Sequence, residues 1–257
     1  MGMRPILEIM FSDFIPLALD QILNNAAKMS YAYDGAMSVP MVLRAPFGGG
    51  MRSGMHHCQN LEAWFAHIPG IKVLMPTTPE DAKGLLLSAI RDPNPVIFLE
   101  HKMLYGVRGE VPEGDYTIPI GKACIRRIGA DITITACGAM VPKALKAAEE
   151  LEKENISAEV IDLRSIKPLD EQTLIESVTK THRLLIVHEA CKTGGIGGEI
   201  AAIISEKAIG ELDAPIQRVC APNTPVPFSP PLEDFFLPQV PQIIEAARKM
   251  FSSKFFA

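Results

Sequence analysis

Short apolar runs alternate with segments of helical period along most of the chain. In the first half, residues 6–11, 39–43, 71–75 and 96–99 read as strands, and an amphipathic stretch spans 15–29. Thr78-Pro79-Glu80-Asp81 opens a helix that runs to about Ile90: Thr78 can cap it, Pro79 suits its first position, and the acids face its positive end. Arg91-Asp92-Pro93-Asn94-Pro95 stops it. From His101 to Gly121 the periodicity fades into turn formers and charges, as in a linker. A second alternating set follows, with strands predicted at 132–136, 159–161, 184–187 and 216–219. Helices are predicted at 141–154, 170–179, 198–210 and 239–250. Short apolar strands separated by helices imply mostly parallel sheets covered on both faces. The pattern predicts two three-layer α/β domains joined near residue 115.

Composition narrows the functional classes. Of 257 residues, 47% are hydrophobic and 21% charged, which are globular proportions. A net charge of -5 argues against a nucleic-acid binder. Mean hydropathy is slightly positive at +0.16, yet no long uninterrupted apolar run explains it. An apolar subunit interface explains it better than a membrane span. Glu8, Asp13 and Asp20 break the apolar core that a secretory signal needs. The five cysteines are odd in number and widely spaced, as expected of reduced thiols in a cytoplasmic protein.

Four segments carry candidate chemistry. The glycine-rich loop 48–54 lacks the Lys-Ser/Thr of a phosphate loop, so it is either a plain turn or a place where backbone approaches a ligand. His56-His57-Cys58-Gln59 follows it, and one histidine at such a junction suits proton transfer, because imidazoles titrate near neutrality. Gly194-Gly195-Ile196-Gly197-Gly198-Glu199 before a helix reads equally as a tight packing turn or an anion site. Ala89-Ile90-Arg91-Asp92-Pro93-Asn94 reads first as an ordinary Pro-terminated helix end. Its freed carbonyls also offer oxygens to a hard cation.

Taken together, many blocks in order resemble one family. They include Arg4-Pro5-Ile6-Leu7-Glu8-Ile9, Leu43-Arg44-Ala45-Pro46, His57-Cys58-Gln59, Pro69-Gly70-Ile71-Lys72-Val73, Arg91-Asp92-Pro93-Asn94-Pro95, Val160-Ile161-Asp162-Leu163-Arg164 and Thr224-Pro225-Val226-Pro227. The chain resembles the β subunit of the E1 component of 2-oxo acid dehydrogenase complexes, thiamine diphosphate enzymes related to transketolase. Phe98-Leu99-Glu100-His101-Lys102-Met103-Leu104-Tyr105-Gly106 and Pro225-Val226-Pro227-Phe228-Ser229-Pro230 look closest to the acetoin dehydrogenase type.

The resemblance implies a pyrimidine-binding domain over residues 1–115 and a transketolase C-terminal domain over 116–257. It implies an α2β2 assembly with an E1 α subunit and a second β subunit, and transfer of the acyl unit to the lipoyl group of an E2 acyltransferase. Thiamine diphosphate would place its diphosphate and Mg²⁺ on α and its aminopyrimidine on this chain. His57 would assist proton handling in acyl transfer. Phe14 would stack on the aminopyrimidine, or Phe11 if the register is shifted. Met41, Ala89, Ile90, Asp92 and Asn94 match positions that bind potassium in relatives, largely through backbone carbonyls. The segment departs from the family where His56 and Cys58 replace a Gln and a Ser. A preceding segment, with a glutamate that hydrogen-bonds the pyrimidine, has no counterpart here, so the chain is expected not to support full catalysis as written. That feature favours a second reading, a catalytically incomplete β fragment serving assembly and E2 docking, whereas the retained His57 argues against it. A transketolase-like sugar enzyme with its diphosphate site on a neighbouring module is a third.

Overall fold

A computed structural model describes residues 2–252. In chain order the elements are β1 (Ile6–Glu8), α1 (Met29–Ala32), β2 (Val42–Phe47), α2 (Glu62–Ala66), β3 (Lys72–Leu74), α3 (Pro79–Arg91), β4 (Val96–His101), β5 (Cys124–Arg127), β6 (Ile132–Ala136), α4 (Met140–Glu152), β7 (Ala158–Asp162), β8 (Ser165–Lys167), α5 (Glu171–Thr181), β9 (Leu184–Cys191), α6 (Ile196–Lys207), β10 (Gln217–Ala221), α7 (Pro230–Phe236) and α8 (Val240–Ser252). They form two compact units. One takes 2–122 with Arg164–Leu169, the other Ala123–Leu163 with 170–252.

The first unit holds a sheet ordered β1-β2-β4-β3-β8. Its first three pairings are parallel, and β8 closes the far edge antiparallel to β3. On one face, Val42, Leu74, Val96 and Phe98 pack with Leu85 and Ala89 of α3. The helix begins where the sequence predicts. Thr78 Oγ1 accepts from Asp81 N at 3.1 Å, and the Asp81 carboxylate accepts from Thr78 N at 3.2 Å, a reciprocal cap that satisfies two orphan donors. Arg164 brings a guanidinium to Asp81 at 3.1 Å, so the buried carboxylate is charge-compensated.

The second unit holds a sheet ordered β10-β9-β6-β7-β5, parallel except for β5 against β7. Alanines 144, 147 and 148 of α4 are fully buried with Val141 and Leu151. Their small side chains let the helix lie close on Ile132, Ile134, Val160 and Leu185. Among the described residues, no helix is long and apolar enough to cross a membrane.

Several local expectations change, among them the end of the first strand, which stops at Glu8 rather than Phe11. The stretch 15–29 is not one helix but a 3-10 segment (Ser12–Ala18), a π segment (Gln21–Ala26) and the single turn of α1. Pro16 lies inside the first of these and lacks the N–H that a continuous ladder needs. The second strand starts at Val42 rather than Val39 and runs on to Phe47.

Candidate active site

In a parallel sheet, ligands sit beyond the carboxyl ends of the strands. Three strands of the first unit deliver chemistry to that edge. After β1 the chain turns through Phe11–Phe14. After β2 it enters the 48–54 glycine loop and reaches His57. After β4 it turns at His101 into Lys102.

The three aromatic rings named from sequence come together here. The His57 imidazole meets the Phe11 ring edge-to-face, with centroids 4.5 Å apart and planes at 83°. It meets Phe14 in the same manner at 5.7 Å and 89°. Phe11 and Phe14 are themselves 6.2 Å apart, edge-on. Such T-shaped contacts set positive ring edges on negative faces. Phe14 keeps 37% of its surface exposed, so a second ring has a face to stack on. Among the described residues, neither ring nitrogen of His57 is engaged in a hydrogen bond, which leaves them open for proton exchange.

The cluster is held from below. Asp13 Oδ1 accepts from both the main-chain N and the side-chain Nε2 of Gln59, each at 3.0 Å, clamping segments 46 positions apart. Asp13 Oδ2 is a buried acceptor with no partner among the described residues. His57 N–H donates to Gly54 O at 3.3 Å, closing a turn that Gly54 permits with φ of +70°. On the other side of the residue, Lys102 Nζ donates to His57 O. The Lys102 ammonium is buried, 5.2 Å from the centroid of Phe11 and 3.9 Å from Cys58 Sγ. Nothing in the sequence marked Lys102 as part of this cluster, because a lone lysine after a strand normally points to solvent. His56 is exposed and stays outside it.

Gly48 and His101 form the floor. Gly48 has φ of +88°, and a Cβ there would stand 2.2 Å from His101 Nε2. The His101 ring meets Phe47 edge-on at 4.9 Å, and its Nδ1 accepts from Met103 N at 3.2 Å. Nearby, Arg44 makes a two-point contact with Glu100 at 2.7 and 3.0 Å, and Tyr105 OH donates to Glu100 at 2.8 Å. Burial, then the Glu100 bond, pushes the Tyr105 phenol well up. These residues border an apolar cavity of about 520 Å³ that also touches Leu86, Leu87 and Phe98.

The carbonyls named as a potassium set are partly engaged. Ile90 O and Asp92 O both accept from Arg4 Nη1, at 2.9 and 2.8 Å. Met41 O accepts from Val96 N at 3.0 Å, and Ala89 O from Asp92 N at 3.3 Å. The Asp92 carboxylate pairs with Lys72 and accepts from Asn94 N. Among the described residues, no group of three His, Cys, Asp or Glu forms a metal cluster.

A domain with this edge and this aromatic seat is a transketolase-type pyrimidine-binding domain. The family profiles agree: "Transketolase, pyrimidine binding domain" matches residues 1–108 and "Transketolase, C-terminal domain" matches 121–243. Three relatives are informative. The acetoin:2,6-dichlorophenolindophenol oxidoreductase subunit beta of Cupriavidus necator is 53% identical over 96% of this chain and 73% of its own. The 2-oxoisovalerate dehydrogenase subunit beta of Bacillus subtilis is 50% identical over 96% and 76%, and that organism's pyruvate dehydrogenase E1 component subunit beta 49% over 97% and 77%. A solved structure described as a split gene transketolase, inactive beta4 tetramer, has a TM-score of 0.80 at 26% identity and covers 98% of this chain and 77% of that one.

The chain belongs to the E1 β subunits of the acetoin and 2-oxo acid dehydrogenase complexes. These are thiamine diphosphate-dependent oxidoreductase subunits that work with an α subunit. The names of the relatives lend no support to a scaffold-only role.

Proposed function

We propose that Phe11, Phe14 and His57 form the β half of a thiamine diphosphate site in an acetoin-cleaving E1. The observation that carries the proposal is the convergence of the three rings at the carboxyl edge of a parallel sheet, with one face of the cluster open. The acetoin oxidoreductase β subunit that is 53% identical supports acetoin as the substrate, while the 2-oxoisovalerate and pyruvate relatives at 50% and 49% keep branched-chain 2-oxo acids and pyruvate as the alternatives. The 98–106 and 225–230 stretches also support acetoin.

The residues fit the aminopyrimidine end of the cofactor. Phe14 offers an exposed apolar ring for stacking. Asp13 Oδ2 offers a buried acceptor one position away. When bound, thiamine diphosphate supplies the electron sink that lets a bond beside a carbonyl carbon break. This chain's share is to seat and orient the pyrimidine on Phe14, to exclude water with the Phe11 and Phe14 rings, and to take or give a proton at a ring nitrogen of His57. The acyl unit then passes to a lipoyl group on an E2 acyltransferase. The α subunit holds the diphosphate with Mg²⁺, in an α2β2 assembly with a second β subunit, within the cytoplasm. A potassium ion at Met41, Ala89, Ile90, Asp92 and Asn94 would share Ile90 O and Asp92 O with Arg4, each carbonyl having a second lone pair.

The test pairs this chain with an acetoin-type E1 α subunit, thiamine diphosphate and Mg²⁺. Co-elution from a sizing column is expected, and whatever dye reduction the pair supports should run at least about tenfold faster on acetoin than on pyruvate or 3-methyl-2-oxobutanoate, a difference of about 1.4 kcal/mol in the barrier. Preference for a 2-oxo acid would overturn the acetoin assignment. Failure of the two chains to associate would overturn the site as a shared one.

A further inference from the structure

We infer that Lys102 is a positioning residue for His57. The inference rests on the reading of His57 as the proton-handling group, and goes beyond it by naming what holds the imidazole in place.

Lysines are rarely buried without a reason. Lys102 is 8% exposed and lies in the first turn after β4. Its backbone is fixed by the preceding strand, which pairs along its whole length with β2, and by the cap in which His101 Nδ1 accepts from Met103 N. From that anchored base the side chain reaches into the aromatic cluster. Its ammonium donates to the main-chain carbonyl of His57 and lies 3.9 Å from Cys58 Sγ. It also sits 5.2 Å from the centroid of Phe11, within the range over which a ring attracts a cation.

Those contacts make one mechanical unit. His57 sits in a short irregular turn between a glycine loop and Gln59, where no helix or sheet ladder sets its backbone. Gly54 O fixes its N–H, and Lys102 fixes its carbonyl. The same ammonium grips Phe11, the ring against which the imidazole packs at 4.5 Å. One cation therefore sets both the backbone of His57 and the surface its ring rests on. Removing the charge while keeping the stem frees the turn without emptying the space. Phe14, the proposed pyrimidine seat, has no contact with the ammonium and should keep its function.

The experiment compares Lys102→Met, His57→Ala and the double variant in the reconstituted αβ enzyme, reading kcat for lipoyl transfer and the Kd for thiamine diphosphate. Lys102→Met is expected to lower kcat about tenfold or more and leave Kd within about twofold. In the His57→Ala background the same change is expected to have no further effect, since the two residues act as a unit. A second readout needs no turnover. In proton NMR of this chain alone, the His57 Hε1 signal, assigned by its loss in His57→Gln, carries a ring-current shift from Phe11. It is expected to move toward the free-histidine position in Lys102→Met. Equal losses from Lys102→Met with and without His57, or an Hε1 signal that does not move, would overturn the positioning role. If His57→Ala itself leaves kcat unchanged, the assignment of His57 falls, and the NMR result still decides whether Lys102 fixes the ring.

Discussion

Replacing Gly48 by alanine tests the floor of the site. The backbone there has φ of +88°, a region that L-residues enter at a cost of about 1 kcal/mol or more. The added Cβ would stand 2.2 Å from His101 Nε2 and 2.6 Å from Cδ2, so the ring must leave. The ring is 3% exposed, with Phe47 on one side, so it has no open space to enter. Its displacement gives up an edge-to-face aromatic contact, about 0.5–1.5 kcal/mol, and the bond from Met103 N, about 1 kcal/mol. The sum is about 2.5–3.5 kcal/mol. For a unit of this size that lowers the midpoint of thermal unfolding by roughly 10–15 °C. Scanning calorimetry of Gly48→Ala against wild type measures it. Gly106→Ala is the control: a Cβ there meets nothing within 4 Å, so its midpoint should stay within about 2 °C of wild type. A Gly48→Ala protein that melts with the control would refute the account of a backbone held open for His101.

Other outcomes follow from the same structure. Phe14→Ala should weaken thiamine diphosphate binding to the αβ enzyme by about tenfold or more while costing only about 1 kcal/mol of stability, since the ring is part-exposed; calorimetric titration with chemical denaturation separates the two. Asp81→Ala removes the carboxylate half of the α3 capping box, which accepts from Thr78, and takes away the buried carboxylate that Arg164 pairs with, so urea unfolding should show a loss of about 3 kcal/mol, against under about 0.5 kcal/mol for Glu113→Ala on the surface. Burial holds the Lys143 ammonium below its usual pKa, although Glu189 and Asp234 pull the other way. A depressed lysine pKa penalises the folded state at low pH, and the penalty is relieved as pH rises from the folded value toward 10.5. Wild type should therefore gain stability relative to Lys143→Met across the alkaline range below 10.5; a pH-independent difference would count against that burial.

Most elements were legible because their physics is local. The α3 boundaries follow from Thr78, Pro79 and Asp81 at one end and Pro93 at the other, all within a few residues of the backbone groups they satisfy or deny. The strand at Ile132–Ala136 is a short apolar run with only threonines among the aliphatics. Where the hydrophobic signal is broken, the reading stopped short. The strand β9 continues beyond Val187 through His188 and Glu189, which are 2% and 4% exposed, because the interior there accepts polar groups that composition assigns to the surface. The antiparallel strands β5 and β8 were missed for a related reason. Cys124–Arg127 carries two arginines, and Ser165–Lys167 has only three residues, so only a neighbouring strand makes either one a strand.

The site divides the same way. Sequence by itself determined the family, the aromatic candidates Phe11 and Phe14, and His57, because those residues stand in recognisable blocks whose order along the chain carries the information. The tertiary structure decided that the three rings meet, that the exposed face is on Phe14, and that a buried lysine from a third strand holds the histidine turn. Parallel strands are joined by long crossovers, so residues far apart in sequence reach one edge only after the sheet closes. Charge, burial and hydrogen-bond geometry at that edge are properties of the assembled sheet, and no local stretch of the chain contains them.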